Sequence, residues 1–406
     1  MLRFPSSLQC DATGKLCLPV ICVALRDVGS FALGPLFDPS MSRPYSELVK
    51  PELLTQPVYQ PGKPIEEVAR ELGLDPKTIL KLASNENPLG TSPKAIAAAK
   101  TAVDEVRLYP DGGCYALKQA IAGERSLDSS QIIVGNGSNE VLELIAHAFI
   151  GPGDEAVMGK GAFIVYKLVT LLMGGKPVEV PFHDHKHDVK AMAAAVTDRT
   201  KVVFLPSPDN PSGSRNSTEE ILELIDALPD HVLFVLDEAY VEYLEEAADL
   251  RPAIAAGKRV FCTRTFSKIY GLAGLRVGYG YGDADLVGLL NRAREPFNVS
   301  SVAQAAAVAA VEDQEWVNQC RLANTASLQQ LEKAFASMNL EYISSSANFV
   351  TVKIGEGAAA FEALQRVGVI VRPLAPYGMP DWIRVSAGTE VENERALREI
   401  TSYLNR

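Results

Sequence analysis

From Asp128 onward the chain alternates short apolar runs with stretches of helical periodicity. The runs are Gln131–Val134, Glu155–Met158, Lys201–Leu205, Val232–Leu236 and Arg259–Cys262, and each ends in a polar or glycine-bearing loop. Runs this short, flanked by helical patterns, predict buried strands of an α/β sheet with helices on both faces. After Pro296 the texture changes to an alanine-rich helix, SSVAQAAAVAAVED from 300, and then a longer helix with charged faces through Met338. Strand-like pieces follow at Asn348–Lys353, Val369–Arg372 and Trp382–Val385. The expected fold is therefore α/β: a large domain with a mostly parallel central sheet, residues 85–295, and a smaller α+β C-terminal domain, residues 296–406. An N-terminal arm over residues 41–84 precedes them.

The first forty residues differ in texture and hold three of the six cysteines, Cys10, Cys17 and Cys22. Their one apolar run, Leu16–Leu25, is too brief to span a membrane. Lys15 before it suggests a signal peptide, but Asp11 sits in the would-be basic region and no small-residue cleavage site follows. A transit segment would be more basic. The reading taken is an extension, disordered or non-native, upstream of a start at Met41.

Composition narrows the function. With 406 residues, 47% hydrophobic and 22% charged, the chain has the make-up of a globular protein with two substantial cores. A formal net charge of −11 argues against nucleic-acid or anionic-membrane partners, so any anionic ligand must be met by local arginines. The cysteines show no CxxC or CxxH spacing, so neither a zinc-type metal site nor a disulfide framework is indicated, and a reducing cytoplasm is the simplest setting.

In an open α/β sheet, ligands bind beyond the carboxyl ends of the strands, and the chemistry-bearing residues collect there. GNGSNE at 135 follows the first run and opens a helix, where the Ser138 and Asn139 amides suit an anion. Thr265, Ser267 and Arg276 add hydroxyl and guanidinium donors for the same oxygens. Asp237 ends an apolar strand, where a carboxylate needs a cationic partner such as a protonated pyridine nitrogen. Tyr240 and Asn210 lie where each suits a ring hydroxyl, and Phe163 where it suits stacking on the ring. Lys268 follows the fifth run, ringed by hydroxyls and an arginine, as a Schiff-base lysine for pyridoxal phosphate. Taken singly, each residue has an ordinary alternative: an N-cap, a strand-end carboxylate, a turn residue or a core aromatic.

Taken together and in order, VYQPGKPIEEV at 58, KLASNENPLG at 81, YPDGG at 109, GNGSNE at 135, SPDNPSG at 207, LDEAYVEY at 236, RTFSKIYGLAGLRVGY at 264 and IRVSAGT at 383 resemble the fold-type I, pyridoxal-phosphate-dependent aminotransferases. More narrowly, they are similar to the histidinol-phosphate aminotransferases. The resemblance implies Lys268 as the cofactor's covalent carrier, Asp237 on the pyridine nitrogen, and Asn210 with Tyr240 on the ring hydroxyl. It implies a homodimer, with Tyr109 reaching the neighbouring subunit's phosphate. It also implies Arg384 for the carboxylate of glutamate or 2-oxoglutarate, Arg372 for the substrate phosphate, and Tyr59 and Asn85 lining the substrate. Ser212 stands where the family loop commonly carries threonine, which keeps the hydroxyl. The alternatives left open are an aromatic aminotransferase, a threonine-phosphate decarboxylase and, outside enzymes, a pyridoxal-phosphate-binding regulatory domain.

Overall fold

A computed structural model describes residues 43–58 and 62–405. The expected extension over residues 1–40 lies outside the described residues, as does Tyr59. Residues 43–49 hold one 3-10 turn, Tyr45–Glu47, and belong to a separate unit; from Lys50 onward the chain forms a single compact unit containing two principal sheets.

After the two-residue β1 (Leu80–Lys81), seven strands build the larger sheet: β2 (Ile132–Gly135), β3 (Glu155–Gly159), β4 (Lys176–Val180), β5 (Thr200–Pro206), β6 (Leu233–Asp237), β7 (Val260–Thr265) and β8 (Gly278–Gly282). Their spatial order is β2-β8-β7-β6-β5-β3-β4, with only β8 antiparallel to its neighbours. The five expected strands are present as β2, β3, β5, β6 and β7. The edge strand β4 and the glycine-alternating β8, GYGYG, are additional.

Burial on both faces explains the continuous apolar runs. In β6, Leu233 and Val235 pack on one side with Val202, Phe204, Phe261 and Tyr166, while Phe234 and Leu236 pack on the other with Val203, Leu205 and Cys262. The period of two then carries Asp237 to the face of Val235 and Glu238 to the opposite face. Glu238 there pairs with Arg264 at 2.7 Å and accepts from the Tyr281 hydroxyl at 2.9 Å. The alanine-rich helix, Ser301–Glu312, packs into the same core as Ala95, Leu117 and Ile121 through Ala303, Ala306, Ala307 and Ala310.

The smaller sheet comprises β9 (Tyr342–Ile343), β10 (Phe349–Lys353), β12 (Arg372–Pro373) and β13 (Trp382–Ser386), in the antiparallel order β12-β13-β10-β9. The expected strand over 369–372 divides at Val371. Its first part, β11 (Val369–Ile370), pairs with β1, and its second joins the small sheet. Val350, Val352, Ile383 and Val385 pack against Leu331 and Phe335 of the helix Gln314–Ser337 and Ile400 of the helix Glu390–Leu404.

Candidate active site

The carboxyl ends of β5, β6 and β7 are in register, with Pro206 beside Asp237 and Asp237 beside Thr263. Beyond them lies a cavity of about 250 Å³ whose lining includes Ser138, Asn139, Phe163, Asn210, Asp237, Tyr240, Thr265, Ser267, Lys268 and Arg276. Residues expected from five different loops thus line one cavity. Ser84, Glu86 and Tyr166 also line it, and sequence reasoning had not placed them there.

At one end, the helix Ser138–Phe149 begins with Gly137 at φ 80°, and no side chain caps its first turn. Its leading amides are available to an anion, which the helix dipole favours. Glycine is required on both sides of this turn. A Cβ on Gly278 would stand 2.4 Å from the Ser138 amide nitrogen, and one on Gly137 would stand 2.6 Å from the Arg276 guanidinium. Arg276 donates to Ser267 Oγ at 3.2 Å and to the Ala273 carbonyl at 3.1 Å, while the Ser267 amide donates to Thr265 Oγ1 at 3.1 Å. Hydroxyls, amides and one guanidinium therefore converge, an arrangement suited to a phosphate dianion.

Asp237 is 4% exposed; its Oδ2 accepts from the Tyr166 hydroxyl at 2.7 Å and its Oδ1 from the Ala239 amide at 3.2 Å. Burial raises its carboxyl above the usual carboxylate range, with these hydrogen bonds opposing part of the effect. Tyr166 lies three residues past Phe163, and their rings meet edge-on with centroids 5.7 Å apart. The parity of the strand turns Asp237 toward the helix Val165–Leu172, which carries Tyr166.

Lys268 is half-buried, and its Nζ donates to the Ser84 carbonyl at 3.3 Å and sits 5.5 Å from the centre of the Tyr240 ring. Burial, then the Arg384 charge, lowers its ammonium to about 8; Glu86 and Asp237 act in the opposite sense. Tyr240 is buried, which raises its phenol, and its oxygen accepts from Asn85 Nδ2 at 2.9 Å. Asn85 adopts φ 57° and is held by Ser386 Oγ on both its amide nitrogen and its Oδ1, each at 2.9 Å, with Asn348 Nδ2 on its carbonyl at 2.9 Å.

The arginines come from the small sheet. Arg372 and Arg384 are direct cross-strand partners on β12 and β13. Arg384 is 5% exposed; it donates to the Asn210 Oδ1 and, at 2.7 Å, to the Ala83 carbonyl, and its guanidinium lies 5.1 Å from the Phe349 ring centre. Tyr109 stands apart from the other predicted residues: it is 83% exposed, and its ring stacks on Phe297 at 4.8 Å. Among the described residues no cluster of three or more His, Cys, Asp or Glu side chains suits a metal ion, and no helix is long and apolar enough to cross a membrane.

A half-buried lysine, a buried carboxylate and an uncapped helix start thus lie together at the carboxyl edge of one sheet. Residues 77–400 match the family model for aminotransferase class I and II, and the chain belongs to that family. It is 46% identical over 369 residues to histidinol-phosphate aminotransferase 2 of Pseudomonas fluorescens strain Pf0-1, covering 90% of this chain and 100% of that one. It is 48% identical over 350 residues to the histidinol-phosphate aminotransferase of Methylobacillus flagellatus, covering 85% and 94%. Among solved structures it resembles the Sinorhizobium meliloti histidinol-phosphate aminotransferase in complex with pyridoxal-5'-phosphate, at 29% identity and a TM-score of 0.80 over 88% of this chain and 97% of that one.

Proposed function

We propose that this chain transfers the amino group of L-histidinol phosphate to 2-oxoglutarate, giving imidazole acetol phosphate and L-glutamate, with pyridoxal 5'-phosphate as cofactor. The observation that carries the reading is the set of donors and charges in one cavity: an uncapped helix start for a phosphate, Asp237 for a ring cation and Lys268 for a carbonyl. The fit extends to close approach, since any side chain at Gly278 would occupy the space against the Ser138 amide. Relatives of that name at 46% and 48% identity support the same substrate class.

Bound there, pyridoxal phosphate supplies an aldehyde to carry the amino group and a ring that withdraws electrons from the substrate's α-carbon. The protein's residues do the rest. Ser138, Asn139, Thr265, Ser267 and Arg276 hold the phosphate, and Phe163 stacks on the ring. Asp237, fixed by Tyr166 and the Ala239 amide, keeps the ring nitrogen protonated. Asn210 and Tyr240 bond the ring hydroxyl. Lys268 would carry the cofactor between turnovers and would move the proton at the α-carbon; burial and the Arg384 charge lower its ammonium to about 8, which favours a free amine for that task near neutral pH. Arg384 takes the α-carboxylate of the 2-oxo acid and Arg372 the phosphate of the amino donor, with Asn85 and Tyr59 beside the substrate.

The assembly proposed is a homodimer in the cytoplasm, in which the exposed Tyr109 serves the phosphate site of the other subunit. Within the chain, an arm over residues 41–84, a large domain over 85–295 and a small domain over 296–406 remain the proposed division. A kinetic screen tests the function. Histidinol phosphate should be used far better than phenylalanine, and threonine phosphate should release no carbon dioxide. The Arg372→Ala variant should weaken the phosphorylated donor while sparing 2-oxoglutarate. Preference for phenylalanine, or equal loss of both substrates, contradicts the reading.

A further inference from the structure

The loop that presents Asn210 to the cavity is held by a second buried pair that the mechanism above does not use. His187 and Asp209 have side chains 1% and 0% exposed, with His187 Nε2 3.2 Å from Asp209 Oδ1. A carboxylate oxygen accepts only, so the imidazole proton of this contact sits on Nε2. The other oxygen, Oδ2, accepts from the Ser212 amide at 3.0 Å and its hydroxyl at 2.7 Å. The Asp209 backbone closes the turn as well: its amide donates to the Ser214 carbonyl at 2.8 Å and its carbonyl accepts from the Gly213 amide at 3.0 Å.

His187 is itself fixed. Its ring meets Phe182 edge-on at 4.5 Å, its carbonyl accepts from Asn216 Nδ2 at 3.1 Å, and a Cβ on Gly159 at the end of β3 would stand 2.4 Å from the imidazole. On the opposite side the loop is gripped by the small sheet, where Thr351 Oγ1 donates to the Pro211 carbonyl at 2.5 Å and Arg384 to Asn210 Oδ1. Thr351 and Arg384 are cross-strand partners on β10 and β13. Asn210 is thus suspended between two anchors, one of them acting through its chain neighbour Asp209. Its Oδ1 is taken by Arg384, so Nδ2 is the end left to donate to a ring oxygen.

The geometry points to His187 as a positioning residue. Through Asp209 it sets the angle at which Asn210 meets the cofactor's ring hydroxyl and, by the shared Oδ1, the place of the Arg384 guanidinium. The inference rests on the roles given above to Asn210 and Arg384. A hydrogen bond to a charged group that holds a catalytic side chain acts on the site even though it touches no substrate.

The test uses holoenzyme carrying His187→Leu, His187→Gln or His187→Asn, with Asn210→Ala as reference. Glutamine keeps an N–H near the Nε2 position; asparagine falls a methylene short, and leucine has none. The readouts are the pH midpoint of the lysine-bound cofactor's visible absorbance, KM for 2-oxoglutarate against kcat, and the unfolding temperature. His187→Leu should raise the midpoint by roughly half to one pH unit, in the direction of Asn210→Ala, which is the size of one lost hydrogen bond. It should raise KM for 2-oxoglutarate by about tenfold, while His187→Gln restores both to within about twofold. If the leucine variant does not fold, the glutamine and asparagine variants decide, with asparagine alone shifted. A lower unfolding temperature with an unmoved midpoint and KM overturns the positioning role and leaves the proposed function standing. An unmoved midpoint in Asn210→Ala removes the role of Asn210, and that of His187 with it.

Discussion

Replacing Asp237 with asparagine should produce two effects of opposite sign, depending on whether the cofactor is present. The side chain is 4% exposed, and burial raises its carboxyl above the unfolded value of about 3.9. In cofactor-free protein the fold therefore keeps a proton that the unfolded chain has released, and the stability this confers is present at low pH and lost as pH rises through the folded value. Asparagine has no charge to desolvate, and its amide satisfies the same neighbours, accepting from Ala239 and donating to a turned Tyr166 hydroxyl. Cofactor-free Asp237→Asn should thus be at least as stable as wild type at pH 7, with the difference shrinking toward pH 4. In holoenzyme the sign reverses. A protonated ring nitrogen loses its buried counter-charge, which costs about 3–5 kcal/mol for a pair broken on one side. At about 1.4 kcal/mol per tenfold, that is roughly two to three and a half orders of magnitude in cofactor affinity. Thermal unfolding at several pH values, with and without pyridoxal phosphate, and equilibrium dialysis read both effects. Asp237→Asn that is less stable without cofactor, yet binds it as wild type does, would refute the reasoning.

Two further outcomes follow from the same geometry. Lys268 has its ammonium lowered to about 8, with Arg384 the leading charge responsible after burial. The rate of pyridoxal phosphate uptake by cofactor-free protein should therefore rise with pH around a midpoint near 8. Removing a positive neighbour raises a lysine's pKa, so Arg384→Gln should move that midpoint upward; an unchanged or lower midpoint contradicts the electrostatic assignment. For Tyr109, mixing the variants Tyr109→Ala and Lys268→Ala should regenerate up to one native site per hybrid dimer, because one subunit lends its tyrosine and the other its lysine. Mixtures no more active than their separate components would place Tyr109 outside the neighbouring site.

Much of this site was legible because strands buried on both faces leave unbroken apolar runs, and their ends mark where ligands bind. That logic located Asp237, Asn210, Lys268 and the helix start at Ser138. What escaped it depends on geometry across the chain. β8 has glycine at alternate positions because Phe261 and the Ser138 amide leave no room for a Cβ at Gly278, Gly280 or Gly282, so it lacks an apolar signature. β4 is an edge strand, exposed or half-buried over most of its length. Val369–Arg372 reads as one strand, yet it serves two sheets because β1 pairs with only its first half. Tyr166, a core aromatic by spacing, becomes a partner of Asp237 only when the strand's parity and the helix's face are combined. His187 is one of five histidines, and nothing in its spacing connects it with Asp209, 22 positions on.

The central claim is that Lys268 carries the cofactor. Borohydride reduction of purified holoenzyme, followed by proteolysis and mass spectrometry, should find a pyridoxyl group on the peptide containing Lys268 and none in the Lys268→Ala variant. Label on a different lysine, or none on wild type that still turns over, would contradict the account.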